Sequence, residues 1–232
     1  MPDAIFAEIN AEDAKNIGVF RVMAHPATEP AAVMELQAEA LTCSRGGREV
    51  FRNVSFKVPA GEALIVTGRN GAGKSSLLRM IAGLVRIAAG RLSLNGGPAG
   101  TPIGEQAHYL SHQDAMKPSL TVAENLHFWT RFLGSRNDIT PALELLDLAP
   151  LADLPAGYLS AGQRRRLSVA RIVSVSRPVW LLDEPTSTLD APSQGRLSDI
   201  MRGHLAGGGI IVAAAHGPIG LERARELKLG AA

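Results

Sequence analysis

The stretch ALIVTGRNGAGKSSLLRM, Ala63 to Met80, decides the fold. ALIVTG is a continuous apolar run of the kind that forms a strand buried on both faces. KSSLLRMIAGLVR has the period of an amphipathic helix, with Leu77, Leu78, Ile81 and Leu84 on one stripe. Between them lies GRNGAGKSS, Gly68 to Ser76, which matches G-x-x-x-x-G-K-[ST] in the strand-to-helix context that the pattern requires. Gly68, Arg69, Asn70, Gly71, Ala72 and Gly73 form a loop whose backbone N–H groups can turn inward around phosphate oxygens. Lys74 supplies a point charge to the β- and γ-phosphates, and the Ser75 hydroxyl, with Ser76 beside it, is a ligand for Mg²⁺. A glycine-rich turn without function needs no Lys-Ser at that place. The expected ligand is a nucleoside triphosphate with Mg²⁺.

Working outward, VWLLDE reads as a second buried strand that delivers Asp183 and Glu184 to its C-terminal edge, where ligands of open α/β sheets bind. Asp183 is placed to hold the metal, directly or through water. Glu184 can polarise the attacking water. NVSFKV puts Val54, Phe56 and Val58 on one face of a half-buried strand. GRLSLNG and AHYLSH are short strands, and GIIVAAA, Gly209 to Ala215, is a buried one. Helices are expected after the capping box of Thr121 and Glu124, at Thr140-Pro141, after Ser160 and over APSQGRLSDIMRGHL. Strands alternating with helices imply a mainly parallel sheet covered on both faces, with a helical insertion from about 115 to 177.

A second phosphate-binding helix start is written into YLSAGQRRRLSVAR, Tyr158 to Arg171. Ser160 and Gln163 have the capping-box spacing, and Ala161 and Gly162 leave the entry open to an anion. Arg164, Arg165 and Arg166 read either as a solvated basic face or as a local positive field aimed at triphosphate. Trp180 and Phe128 read as core.

LSAGQ, lying just upstream of VWLLDE, resembles the signature sequence of ABC-type ATPases. Gln113 resembles that family's Q-loop glutamine, STLD (Ser187 to Asp190) its D-loop, and His216 its switch histidine. The resemblance implies a P-loop NTPase of α/β class, with a mainly parallel core sheet, a small antiparallel β subdomain and an inserted α-helical subdomain. It implies ATP hydrolysis with Glu184, His216 and Gln113 as catalytic groups and Ser75, Gln113 and Asp183 around Mg²⁺. It also implies a head-to-tail dimer, in which Ser160, Ala161, Gly162, Gln163 and Asp190 of one copy face the ATP held by the other. Two positions depart from the family's pattern. Ala161 stands where glycine is commoner, and Arg45, in CSRGGREVF, stands about where an aromatic residue stacks on adenine. A guanidinium can stack on a base as well.

Finer marks, HQDAMKPSLTVAENLHFW, LSAGQRRRLSVARI and LTCSRGG, resemble the ATP-binding subunits of cytochrome c maturation (haem exporter) systems. That likeness implies integral membrane permease subunits as partners, and an output of haem export or release of a haem-loaded chaperone. The alternative is the ATPase of another small ABC exporter. It implies a place on the cytoplasmic face of the inner membrane, held there by the partners. Nucleic acid is not among the implied partners, and the net charge of +2 argues neither for nor against it. The composition, 46% hydrophobic and 20% charged, is that of an ordinary globular chain. Cys43 is the only cysteine, so no internal disulfide can form. No apolar run is long enough to span a bilayer, and the acid-leaning N-terminus does not have the pattern of a signal peptide. Residues 1–33 read as an extension, either a mobile tail or a start-site artefact with Met34 as the functional start. Residues 34–232 read as the nucleotide-binding domain.

Overall fold

Two sheets share the work of holding the loop at Gly68. In the computed structural model, which describes residues 34–230, β1 (Glu35–Arg45), β2 (Arg48–Pro59) and β4 (Ala89–Asn95) form an antiparallel sheet of order β2-β1-β4. The second sheet has the order β5-β6-β7-β3-β8 and every neighbouring pair in it is parallel. Its strands are β3 (Ala63–Thr67), β5 (Ala107–Leu110), β6 (Val179–Asp183), β7 (Ile210–Ala214) and β8 (Ala224–Lys228). The helices are α1 (Lys74–Ile81), α2 (Val122–Phe132), α3 (Thr140–Leu145), α4 (Ala161–Val173) and α5 (Ala191–Ala206). The expected reading of residues 1–33 lies outside the described residues.

The parallel sheet is apolar on both faces, and the alternation of its side chains divides the core. Leu64 and Val66 of β3, Val179 and Leu181 of β6, and Ile210 and Val212 of β7 join α1 and the antiparallel sheet in one cluster. Ala63, Trp180, Leu182, Ile211 and Ala213 join α4, α5 and the helices after Thr121 in the other. That is the two-sided burial expected of parallel strands. β6 and β7 are buried at every residue. The acidic pair after Leu182 is therefore carried at the end of a fully buried strand.

Both expected capping boxes form. Thr121 Oγ1 accepts from the Glu124 N–H, and Ser160 Oγ accepts from the Gln163 N–H. In each case the Glu or Gln side chain takes the N–H of the capping residue in return. α1 is shorter than its apolar stripe suggests. It ends at Ile81, Gly83 takes a left-handed φ of 74°, and the Leu84 N–H turns back to the Arg79 carbonyl, which leaves Leu84 exposed. The expected place of Leu84 on the buried stripe is corrected by this glycine stop. Trp180 is buried as expected, but Phe128 is 41% exposed, on the outer face of α2 beside Phe132. β8 had no recognisable signal. ARELK is polar, and at the sheet edge it buries little, so no apolar alternation marks it.

Two histidines make the fold sensitive to acid. His108 in β5 is 3% exposed, with Nε2 2.6 Å from the Val175 carbonyl oxygen, and burial pushes its pKa from 6.5 down to about 4. His204 in α5 stacks on Trp180 with centroids 4.0 Å apart, and burial likewise pushes it to about 4. In the unfolded chain both rings take protons near their ordinary value, so the unfolded state binds more protons below it. Stability is full above that range, falls as pH drops toward the folded pKa, and levels off beneath it. Urea unfolding at about pH 5 is expected to show a loss of about 2 kcal/mol for each ring relative to about pH 7. Replacement of His108 by Gln is expected to remove about half of that difference. An unchanged pH dependence would assign the acid sensitivity elsewhere.

Candidate nucleotide site

The loop after β3 is bent by glycines that nothing else can replace. Gly68 has φ 137°, and a Cβ there would lie 2.5 Å from the Leu229 carbonyl oxygen. Gly73 has φ 99°, and its Cβ would lie 2.7 Å from Val50 Cγ1 in β2. Lys74 then opens α1 with its side chain folded back under the loop. It is 8% exposed, and Nζ donates to the carbonyls of Gly68 (2.8 Å) and Arg69 (3.5 Å). No carboxylate among the described residues lies within ion-pair distance of it. A buried ammonium with no carboxylate partner, at the start of a helix that follows a glycine-rich loop, is a seat for an anion.

Beside it, Ser75 Oγ donates to Asp183 Oδ1 at 3.0 Å. Asp183 ends β6 and is 2% exposed. Its other oxygen accepts from the Tyr109 hydroxyl of β5 at 3.3 Å, and that hydroxyl accepts from Arg79 Nε of α1 at 3.3 Å. Burial pushes the Tyr109 hydroxyl above its ordinary value, and the bond from Arg79 works the other way. A hydroxyl and a carboxylate in contact are the hard oxygen donors that Mg²⁺ takes from protein, leaving its remaining positions to phosphate and water. No cluster of three or more His, Cys, Asp or Glu occurs among the described residues, so a protein-only metal cage is not formed there. The donor set fits Mg²⁺ bound together with a phosphate ligand.

Glu184 follows directly. Its N–H continues the sheet by donating to the Ala214 carbonyl at 2.9 Å. Its own φ is 49°, a left-handed conformation that an L-residue adopts at a cost of about 1–2 kcal/mol. The turn aims the side chain toward His216, just beyond β7, with Glu184 Oε1 3.6 Å from Nε2. The same ring nitrogen lies 3.3 Å from Lys74 Nζ. Lys74, His216 and Glu184 thus form a row, and in it the imidazole accepts from the ammonium. These groups open onto one cleft of about 610 Å³, lined also by Asn70, Gly71, Ser76, His112, Arg45 and Val50. A larger hollow of about 920 Å³, beside His127, Arg131 and Arg136, contains none of them. Its size alone gives it no chemistry.

Several expected site residues are not drawn into this cleft. Gln113 is exposed, and its backbone N–H is held by Ser111 Oγ at 2.9 Å; His112, not singled out from the sequence, lines the cleft instead. Ser160, Ala161, Gly162 and Gln163 lie outside the lining, with Ser160 and Ala161 exposed at the start of α4. Asp190 caps α5, its Oδ1 accepting from the Ser193 N–H at 3.0 Å, and hydrogen bonds from Ser193 hold its carboxyl below the ordinary range. Of the three arginines of α4, Arg164 and Arg166 keep a partly exposed side chain near Asp114 and Asp147, and Arg165 does not. Arg164 donates to the Leu159 carbonyl at 2.6 Å and Arg166 to that of Leu146 at 3.0 Å. Arg165 is buried to 2% exposure and binds only main-chain carbonyls. Arg165 is thus no part of a solvated basic face, whereas Arg164 and Arg166 are partly open to solvent. Tyr109 and Arg79 were missed because only the strand order brings β5 beside β6.

Residues 51–187 match the family model described as ABC transporter. A protein of Rhodopseudomonas palustris (strain BisB5), "Cytochrome c biogenesis ATP-binding export protein CcmA", is 57% identical over 200 residues, covering 86% of this chain and all of that one. Its namesake in Nitrobacter winogradskyi is 56% identical over the same shares, and that in Bradyrhizobium diazoefficiens is 52% identical over 85% of this chain and 98% of its own. Among solved structures, the ATP-binding subunit of an ABC transporter superposes with a TM-score of 0.75 at 24% identity, over 84% of this chain and 85% of that one. An ABC transporter ATP-binding protein from Pyrococcus furiosus superposes at 0.72 and 21%, over 84% and 97%. The expected fold, down to the antiparallel sheet beside the parallel one, is the fold these structures share. By its sequence and by its fold, the chain belongs to the ABC transporter family of ATP-binding proteins, on the branch of the cytochrome c biogenesis ATP-binding export proteins.

Proposed function

We propose that this chain is the ATP-hydrolysing subunit of a membrane export complex serving cytochrome c biogenesis, with haem or a haem-loaded carrier as the species moved or released. The observation that carries the reading is the convergence of Lys74, the Ser75–Asp183 pair and the Glu184–His216 pair on one cleft. Lys74 and the loop N–H groups hold the phosphates. Ser75 and Asp183 would hold Mg²⁺, which would supply charge neutralisation to the phosphates when bound. Asp183 keeps its orientation through Tyr109 and Arg79. Once Lys74 turns its charge to a phosphate, His216 is released from it to partner Glu184, and Glu184 takes the proton of the attacking water.

The base is adenine, as the family implies, with Arg45 and Val50 of the cleft lining as the side chains available to hold it. The capped start of α4 lies away from the chain's own cleft, as a group meant for a second copy's nucleotide would. Two copies in head-to-tail arrangement complete both sites, with Ser160 to Gln163 and the Asp190 turn at the shared interface. No helix among the described residues is long and apolar enough to cross a membrane. The partners are integral membrane subunits, and the chain sits against their cytoplasmic face, with Gln113 and the segment after it as the contact.

A strain lacking the gene tests this. Haem staining of its membranes is expected to show no covalently attached cytochromes c. Rescue is expected from the wild type and from a form starting at Met34, but not from Glu184→Gln. Normal cytochromes c without the gene would leave an ABC ATPase serving some other exporter.

A further inference from the structure

The site reading leaves Arg165 unused. It lies in the second turn of α4, four residues after Ala161, and its guanidinium is buried without a carboxylate partner within 4 Å among the described residues. Its nitrogens instead bind four main-chain carbonyls. Nε donates to Pro185 O at 3.2 Å, Nη1 to Ser111 O at 2.6 Å, and Nη2 to Asp183 O at 2.9 Å and Glu184 O at 2.7 Å. Burial works against its charge, the carboxylates of Asp114, Asp183 and Glu184 favour it only from beyond ion-pair distance, and a packed apolar side chain would fill the same space more cheaply. The carbonyls it serves explain its presence.

Three of them are consecutive. β6 ends its ladder at Asp183, Glu184 turns left-handed, and Pro185 follows. The turn takes the carbonyls of Asp183, Glu184 and Pro185 out of the sheet and points them at one place, where their negative ends repel one another. Ser187 donates to the Glu184 carbonyl alone, through its N–H at 3.1 Å and its Oγ at 2.8 Å. Without the guanidinium that bridges all three carbonyls, the left-handed turn is held less firmly and the Glu184 side chain is freer to swing away from His216. The planar fork of a guanidinium, with five N–H donors, can satisfy all three and reach Ser111 as well. Ser111 immediately precedes His112, which lines the cleft, and Gln113.

We propose that Arg165 is the positioning residue for Glu184. It locks the left-handed turn that aims the carboxylate, and it fastens that turn and the end of β5 to the helix whose first turn is Ser160 to Gln163. This rests on the reading of Glu184 as the hydrolytic base and on the head-to-tail dimer, and it adds a residue that no motif of the sequence assigns to hydrolysis.

The test uses the full chain with Arg165→Gln and Arg165→Lys, beside wild type and Glu184→Gln. Four quantities are compared: near-ultraviolet dichroism, ATP affinity by fluorescence titration, steady-state ATPase, and ATP-dependent dimer on gel filtration. For Arg165→Gln the expected result is native dichroism, ATP affinity and KM within about twofold of wild type, and kcat lower by about tenfold or more. ATP-bound dimer is expected to accumulate as in Glu184→Gln. Arg165→Lys, which can still donate to two or three of the carbonyls, is expected to recover part of kcat at the same KM. Wild-type kcat in Arg165→Gln overturns the proposal. So does parallel loss of dichroism, affinity and dimer in both variants, which would make Arg165 a tie for the fold alone. If Glu184→Gln itself forms no ATP-dependent dimer, the head-to-tail reading fails, while the split between kcat and KM still decides for or against Arg165.

Discussion

Glu184→Gln is expected to bind ATP with unchanged affinity and to lose steady-state hydrolysis by about 10²–10⁴-fold, the range that a positioned general base supplies. The substitution keeps size and main-chain geometry. The hydrogen bond from the Glu184 N–H to Ala214 and those into its carbonyl from Ser187 and Arg165 involve only the backbone, so the turn survives. What is lost is a carboxylate that can accept a proton 3.6 Å from His216. With binding intact and hydrolysis blocked, the ATP-bound dimer persists, and gel filtration with ATP is expected to show it at concentrations where the wild type runs as monomer. Hydrolysis at the wild-type rate would remove Glu184 from the reaction and shift attention to His216 and the metal-held water.

Lys74→Ala is expected to act earlier, on binding. The ammonium is already desolvated and already held against the Gly68 and Arg69 carbonyls, so a phosphate meets it at little further cost. Removing one member of a buried charge pair typically costs about 2–5 kcal/mol, or roughly 30- to several-thousand-fold in affinity. Calorimetric titration with ATP should therefore give no measurable heat at concentrations that saturate the wild type. Dichroism should stay native, because beyond the loop carbonyls the side chain meets only the His216 ring, which is half exposed. Affinity retained within about tenfold would mean that the backbone N–H groups of the loop carry the binding and that the lysine serves only the reaction.

The parts of the molecule legible from the sequence were those whose chemistry is local. The loop from Gly68 to Ser75 announces itself because its glycines, lysine and hydroxyl must be adjacent in the chain to be adjacent in space. The capping boxes at Thr121 and Ser160 are four-residue devices and form as read. β6 and β7 stood out because strands buried on both faces have no polar alternation. What depended on strand order could not be read. Tyr109 touches Asp183 only because β5 lies next to β6, and Arg165 reaches Glu184 only because α4 packs across the ends of both strands. The arginine run shows the limit plainly. Three identical letters in a row have three different surroundings, since successive helical residues point about 100° apart and only one of the three faces the sheet. β8 escaped notice for the opposite reason: an edge strand with little to bury leaves no apolar mark.

The left-handed turn at Glu184 has a consequence for how this position tolerates change over generations. A glycine there would sit without the Cβ crowding that a glutamate endures, a relief of about 1–2 kcal/mol. The extra freedom of glycine in the unfolded chain would take back only about 0.5–1 kcal/mol. A chain drifting under selection for foldedness alone would thus gain, or lose nothing, by discarding its carboxylate at this codon. On the proposed role of Glu184 as the hydrolytic base, the glutamate would be kept in place by the reaction and not by the fold that carries it. A copy of this gene released from hydrolysis would be expected to decay first at this turn, while the rest of the cleft still looked intact.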